Sequence, residues 1–140
     1  MSIDNKDKKI IDQLKKDSRA SIRNIAKATG IRPSTVHQRI NKLKETNTIE
    51  KFTVKLNNKL VDENFIVFMF VSTEKDLDPV VFQDSHIKEV FGITGEYDLL
   101  FKLKFKDVED FNNFILEFRK RTGVKKTITM VATVTLKEEI

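Results

Sequence analysis

All eleven phenylalanines of this 140-residue chain lie at position 52 or later, and no Phe, Tyr or Trp occurs in the first fifty residues. Charge divides at nearly the same place. Residues 1–60 carry 15 Lys/Arg against 6 Asp/Glu, a net +9, whereas residues 61–140 carry 11 against 15, a net −4. A basic, ring-free stretch joined to an acidic, Phe-rich one predicts two modules, the first with an anionic partner. The expected boundaries are a first module over 1–50, a hinge over 51–61 and a second module over 62–140.

Three amphipathic helices are predicted in the first 46 residues. Asp4 is the expected N-cap of the first, with Asp7 three residues on and Ile3, Ile10, Ile11 and Leu14 along one side. Ser21 caps the second, which carries Ile22, Ile25 and Ala26 and ends at Gly30, a residue free to take positive φ. Pro33 opens the third, whose Val36, Ile40 and Leu43 recur at helical spacing and face inward. About four residues including a glycine separate the last two helices, which is a helix-turn-helix spacing. After them, "NTIEKFTVKLN" over 47–57 reads as a turn at Asn47 followed by a strand.

In that arrangement the outer N-terminal half of the third helix shows Ser34, Thr35, His37, Gln38 and Arg39. This is the part of such motifs that enters the major groove of DNA. Gln matches adenine, Arg forks onto guanine, and hydroxyls fit several base edges. Arg23, Lys27, Arg32, Lys42 and Lys44 are the expected phosphate contacts. The alternative, an ordinary solvated face, is open for any one of these residues taken singly.

From residue 61 strands and helices alternate. "FIVFMFVST" is a strand, Asp78-Pro79 opens a short helix, and "IKEVFGITG" and "YDLLFKLKF" are strands joined near Gly95. Asp107 caps a helix with Val108, Phe111, Phe114, Ile115 and Phe118 on one side, stopped by Gly123. A last strand, "KTITMVATVTL", alternates Ile128, Met130, Ala132, Val134 and Leu136 with Thr129, Val131, Thr133 and Thr135. The order βαββαβ is the ferredoxin-like unit, so the expected class is α+β, a winged helix-turn-helix followed by a ferredoxin-like domain. Helices on one side of a sheet leave the other face open. The first strand is apolar on both faces, through Phe65, Val67, Met69 and Val71 on one and Ile66, Phe68 and Phe70 on the other. A homodimer with packed sheets is therefore expected, presenting two reading helices to a pseudo-palindromic site.

Taken together the chain resembles the leucine-responsive regulatory protein/AsnC ("feast/famine") family of transcription regulators over nearly its whole length. The likeness rests on "IDNKDKKIIDQL", on "SRASIRNIAKATGIRPSTVHQRINKLKETNTI", and on "FGITGEYDLL" and "GVKKTITMV". Within these, Arg19, Ala26, Gly30, Val36, Arg39, Ile40, Leu43 and Ile49 carry the first half, and Thr94 to Asp98 the effector-domain signature. The resemblance implies a dimer, or a tetramer or octamer of dimers, that binds double-stranded DNA near promoters, meets the transcription machinery and responds to an amino acid. It places that effector between effector domains, at Gly95, Glu96, Tyr97 and Asp98 and at Thr127 and Thr129. No other cofactor is implied. The chain departs from the family in having Arg32 where a serine commonly precedes the proline, and Asn47 and Lys51 where glycines are usual.

Other classes fare worse. Without cysteine there is no disulfide, thiolate or cysteine–zinc chemistry, and two histidines make no metal site. No catalytic constellation is visible: residues 61–118 lack the arginine that an acylphosphatase-like site would need. The charged N-terminus lacks a signal-peptide core, and the apolar run 65–71 is too short to span a bilayer, so a cytoplasmic, nucleoid-associated protein without a membrane partner is expected. Sequence-independent DNA packaging is the competing reading, since a +9 module supports it through counterion release alone.

Overall fold

The computed structural model describes residues 2–140, in which residues up to Lys55 form one compact unit and Leu56–Glu139 another. The first unit contains α1 (Asn5–Lys16), α2 (Ile22–Thr29) and α3 (Pro33–Glu45). Each start is fixed locally. At α1 a reciprocal capping box forms: Asp7 N–H donates to the Asp4 carboxylate at 2.9 Å, and Asp4 N–H to that of Asp7 at 3.2 Å. Ser21 accepts from Asn24 N–H at 3.0 Å, satisfying one of the donors left free at the start of α2. Gly30, at φ +71°, closes α2 and turns the chain toward Pro33. Ile10, Ile25, Ala26, Ile31 and Val36 form the buried core, with Leu43 also fully buried. Ile3, expected to share the apolar side of α1, is exposed.

The expected strand after α3 is not formed. Asn47 takes the left-handed turn (φ +57°), but residues 50–57 make no ladder, and Phe52, Val54 and Leu56 are exposed. A strand needs a neighbour for its backbone groups, and the described residues pair none with this segment. The segment is tied to the helices by the Ser18 hydroxyl, which donates to the Thr53 carbonyl at 3.1 Å.

The second unit is a four-stranded antiparallel sheet of β1 (Phe65–Thr73), β2 (Ile87–Gly92), β3 (Leu99–Phe105) and β4 (Val124–Val131), in the order β2-β3-β1-β4. Between β3 and β4 runs α4 (Val108–Arg119), capped by Asp107. Between β1 and β2 the expected helix is only a 3-10 turn, Pro79–Gln83, started by Asp78 accepting from Val80 N–H at 3.0 Å. This is the ferredoxin-like layout with its first helix reduced to one turn. The core lies between sheet and α4: Val67, Met69, Val71, Phe101, Leu103 and Phe105 from the strands, Ile115 and Phe118 from the helix. Val108, expected on that face of α4, sits in the first turn and is exposed.

Two further boundaries differ from expectation. Gly123 does not end α4, which closes at Lys120; it opens β4 at φ +97°, its carbonyl accepting from Glu74 N–H at 2.8 Å. And β4 ends at Val131 rather than running to Leu136. Among the described residues its only neighbour is β1, which begins at Phe65, so after Ala132 N–H donates to the Ile66 carbonyl the ladder has no partner there.

Candidate nucleic-acid interface and effector turn

The outer side of α3 is set by its inner one. Val36 and Leu43 are fully buried and Ile40 is half-buried, which leaves Ser34, His37 and Gln38 exposed and Thr35 half-buried at the N-terminal end. Arg32 occupies the N-cap position without a side-chain capping bond, so its guanidinium is exposed at the start of the helix. The exposed end thus offers hydroxyl, imidazole and amide groups around an N-terminus whose dipole favours anions. The His37 ring is within 3.2 Å of the Asn41 amide nitrogen, one turn later. Arg23, Lys27 and Lys42 are exposed, and the Lys44 ammonium lies 5.9 Å from the centre of the Phe52 ring.

Arg39, the fifth residue of the expected reading set, is half-buried and paired with α1. Its Nη1 faces two carboxylates of α1, bonding Asp4 Oδ2 and reaching Asp7 Oδ1 at 3.2 Å. The contacts have electrostatic consequences. The Asp7 N–H, and next the Arg39 guanidinium, hold the Asp4 carboxyl down to about 2, and the same pairing raises Arg39. Helical spacing explains the placement: position 39 is three after Val36 and four before Leu43, both core residues.

In the second unit the β2–β3 turn is clasped to β1. Asp98 Oδ2 accepts from Thr73 N–H at 2.7 Å and from its hydroxyl at 3.1 Å, while Asp98 N–H donates to the Val71 carbonyl. Asp98 is thus a brace, and Gly95 beside it has φ +112°. Tyr97 packs on Phe70 with ring centres 5.8 Å apart, and Lys126 Nζ lies 5.4 Å over the tyrosine and 3.4 Å from Glu96. Tyr97, and after it Glu96, keep the Lys126 ammonium more firmly protonated than usual. Thr127 and Thr129 pair with Val71 and Met69, which puts them on the helix-covered face, opposite Tyr97 and Lys126. The six expected effector residues therefore divide between two faces of the sheet. Lys126, not foreseen, brings a cation to the turn.

These two features match known domains in the same order along the chain. The AsnC-type helix-turn-helix domain matches residues 3–44 and the Lrp/AsnC ligand binding domain residues 83–140. An uncharacterized HTH-type transcriptional regulator of Pyrococcus abyssi is 36% identical over 98% of this chain and 96% of its own length. The HTH-type transcriptional regulator FL11 of Pyrococcus furiosus is 35% identical over 92% of this chain and 88% of its own. The chain belongs to the Lrp/AsnC family of transcriptional regulators. Its fold is shared with transcriptional regulator NMB0573 of Neisseria meningitidis, solved as an L-Met complex: the TM-score is 0.91 at 21% identity, over 99% of this chain and 94% of that one.

As an Lrp/AsnC regulator the chain carries a DNA-binding helix-turn-helix and a ligand-binding domain, and the family is one of regulators, not enzymes. The open face of its sheet is more sharply defined than the sequence suggested. Of the β1 residues expected to form a dimer contact, Val67, Met69 and Val71 are fully buried beneath the regulator's own α4 side, and Phe65 packs against that core. Only Ile66, Phe68 and Phe70 point to the open face, and Ile66 is already covered. Register brings Phe91, Leu100 and Ile128 into line with Phe70 across all four strands, with Phe68 and Met130 in the next row. One end of the face is polar. There Glu138 bonds Lys102 at 2.6 Å, Lys104 at 3.0 Å and Asn58 at 2.9 Å. Burial alone would raise the Glu138 carboxyl, but Lys102, Asn58 and Lys104 hold it down to about 2. Phe91, Leu100, Ile128 and Met130 were visible only as members of alternating strands, since which alternate set is covered depends on where α4 packs.

On the helix side, His86 stacks on Phe105 (ring centres 4.8 Å apart) between Asp84 and Asp110, at 2.7 and 3.2 Å, beside a pocket of about 190 Å³. Among the described residues no group of three or more His, Cys, Asp or Glu is placed to hold a metal, and no helix is long and apolar enough to cross a membrane.

Proposed function

We propose that this regulator binds double-stranded DNA sequence-specifically as a homodimer, each copy reading one half of a pseudo-palindromic promoter site through the N-terminal half of α3. One observation carries the reading: Ser34, His37 and Gln38, with Thr35 beside them, are offered outward from a helix fixed by the buried Val36 and Leu43. Base edges need donors and acceptors held at a set pitch, and these residues supply both. Arg23, Lys27, Arg32, Lys42 and Lys44 supply the sequence-independent part through phosphates. A second copy meets the first across the open sheet face, where Phe68, Phe91, Ile128 and Met130 are exposed.

The ligand is an amino acid, taken up beside the Gly95–Asp98 turn. The match to a ligand binding domain supports this, as does the methionine complex of the meningococcal neighbour. Lys126 offers a cation and Glu96 an anion at that turn, the two charges a zwitterion requires.

In vitro selection from random duplexes tests the DNA reading. A defined inverted-repeat consensus is the expected result. Equal retention of all sequences, with affinity governed by salt alone, would instead establish packaging. Isothermal titration with methionine and the other common amino acids tests the ligand; absence of heat with every one, and unchanged DNA binding, would remove the effector.

A further inference from the structure

We infer that Arg39 reads no base but docks the reading helix onto the capping box of α1, so setting the pitch at which Ser34, His37 and Gln38 meet DNA. The inference rests on the reading role of α3 proposed above. It begins from the four carboxylate oxygens of the box. Asp4 Oδ1 accepts from Asp7 N–H and Asp7 Oδ2 from Asp4 N–H, so each side chain has one oxygen engaged in capping. The two that remain, Asp4 Oδ2 and Asp7 Oδ1, both face Nη1 of Arg39. The guanidinium completes the box.

Burial decides whether Arg39 can leave it. The Asp7 side chain is 6% exposed, and Asp7 is the one buried charged residue among those described. A buried carboxylate requires compensation, and removing its cation leaves an uncompensated charge in a poorly solvated place. Arg39 is the only cation that bridges to Asp7 among the described residues. Swinging to a guanine or a phosphate would strip Asp7 of that partner, so the pair favours an Arg39 that stays in place on the duplex. The exposure pattern agrees: Ser34, His37 and Gln38 are exposed, while Arg39 lies on the flank turned toward α1. Arg39 is therefore a positioning residue. Its ion pairs tie the reading helix to the start of α1, 35 residues earlier.

The test uses the full chain and the variants Arg39→Ala, Asp7→Asn and their double mutant. Each is measured on the duplex selected by the wild type and again by reselection. Both single variants should lower affinity by similar factors, with the preferred base at every position and the salt slope unchanged. The double variant should be no weaker than either single one, because the two residues act as one unit. Loss of preference at one or two base positions in Arg39→Ala, with Asp7→Asn binding as tightly as wild type or more so, would overturn the inference. Asp7→Asn leaves the guanidinium held by Asp4 alone, so a base-reading Arg39 would gain from the loosened hold. Should Arg39→Ala fail to fold, Arg39→Lys keeps a cation near Asp7 but not the guanidinium. It should show reduced affinity at unchanged preference, and a position-specific loss would again be contrary. A wild-type chain that selects no consensus would remove the underlying reading itself, a result distinguishable from all of these.

Discussion

Gln38 and Lys42 lie one turn apart on α3, both exposed, and different tasks are expected of them. The amide of Gln38 can donate and accept at once, which suits a base edge; the Lys42 ammonium is a point charge. Gln38→Ala should lose about 1–3 kcal/mol of discrimination at particular base positions. Lys42→Ala should weaken all sequences alike and reduce the salt slope by about one. Binding isotherms on matched and mismatched duplexes at several salt concentrations separate the two, and a uniform loss in both would remove the reading role of Gln38. Asp4 supports a prediction of another kind. Its carboxyl sits at about 2 in the folded chain against an ordinary 3.8, so its stabilising contribution is complete above 3.8 and is lost as pH falls through about 2. Denaturation midpoints of the wild type and Asp4→Asn should differ near neutrality and converge over that window. A constant difference down to pH 2 would contradict the pairing.

At the scale of elements, the turns show how local geometry and packing separate. Gly95 and Gly123 both have positive φ, but a Cβ at Gly95 would meet nothing within 4 Å, whereas at Gly123 it would come to 3.0 Å from the Lys75 carbonyl oxygen and 3.2 Å from Leu77. Alanine at either site carries backbone strain of about 1–3 kcal/mol. Only Gly123→Ala adds a clash with backbone, so it should be the more destabilising of the two in urea denaturation; the reverse order would show that the β2–β3 turn is held more tightly than its surroundings suggest. The same division governs the strands. Residues 50–57 and 132–136 both have strand-like apolar spacing, and neither forms a strand, because neither finds a ladder partner among the described residues. Hydrophobic period reports which face a segment would bury, not whether a neighbour is present.

For the whole molecule, the open sheet face is the feature with the largest consequence. A row from Phe91 through Leu100 and Phe70 to Ile128 crosses four strands, and Met130 beside it is 56% exposed. Since Met130 has little packing to lose, Met130→Asp should leave the fold and its thermal midpoint close to wild type. It should nevertheless shift sedimentation at micromolar concentration from dimer to monomer, and reduce affinity for a full inverted repeat far more than for a single half-site. A variant that remains dimeric would place the interface elsewhere; a monomeric wild type would remove it.

Local signals in the sequence carried the two-module division, all three N-terminal helices with the capping side chains of the first two, the turn glycine at position 30, and the family with its fold. Each of these is written in local signals: N-cap side chains, a residue that tolerates positive φ, and apolar spacing. It also singled out Ser34, Thr35, His37 and Gln38, because the inward residues of a helix fix its outward ones. Tertiary structure decided the rest. Arg39 turns to α1 because Asp4 and Asp7, far away in sequence, come within reach of it. Of the seven β1 residues expected at a dimer contact, four lie on the side that α4 covers and three on the open face, and the effector residues part because Thr127 and Thr129 pair with Val71 and Met69 on the covered side. In each case the deciding partner is distant along the chain, and a pattern of nearest neighbours contains no information about which distant groups will meet.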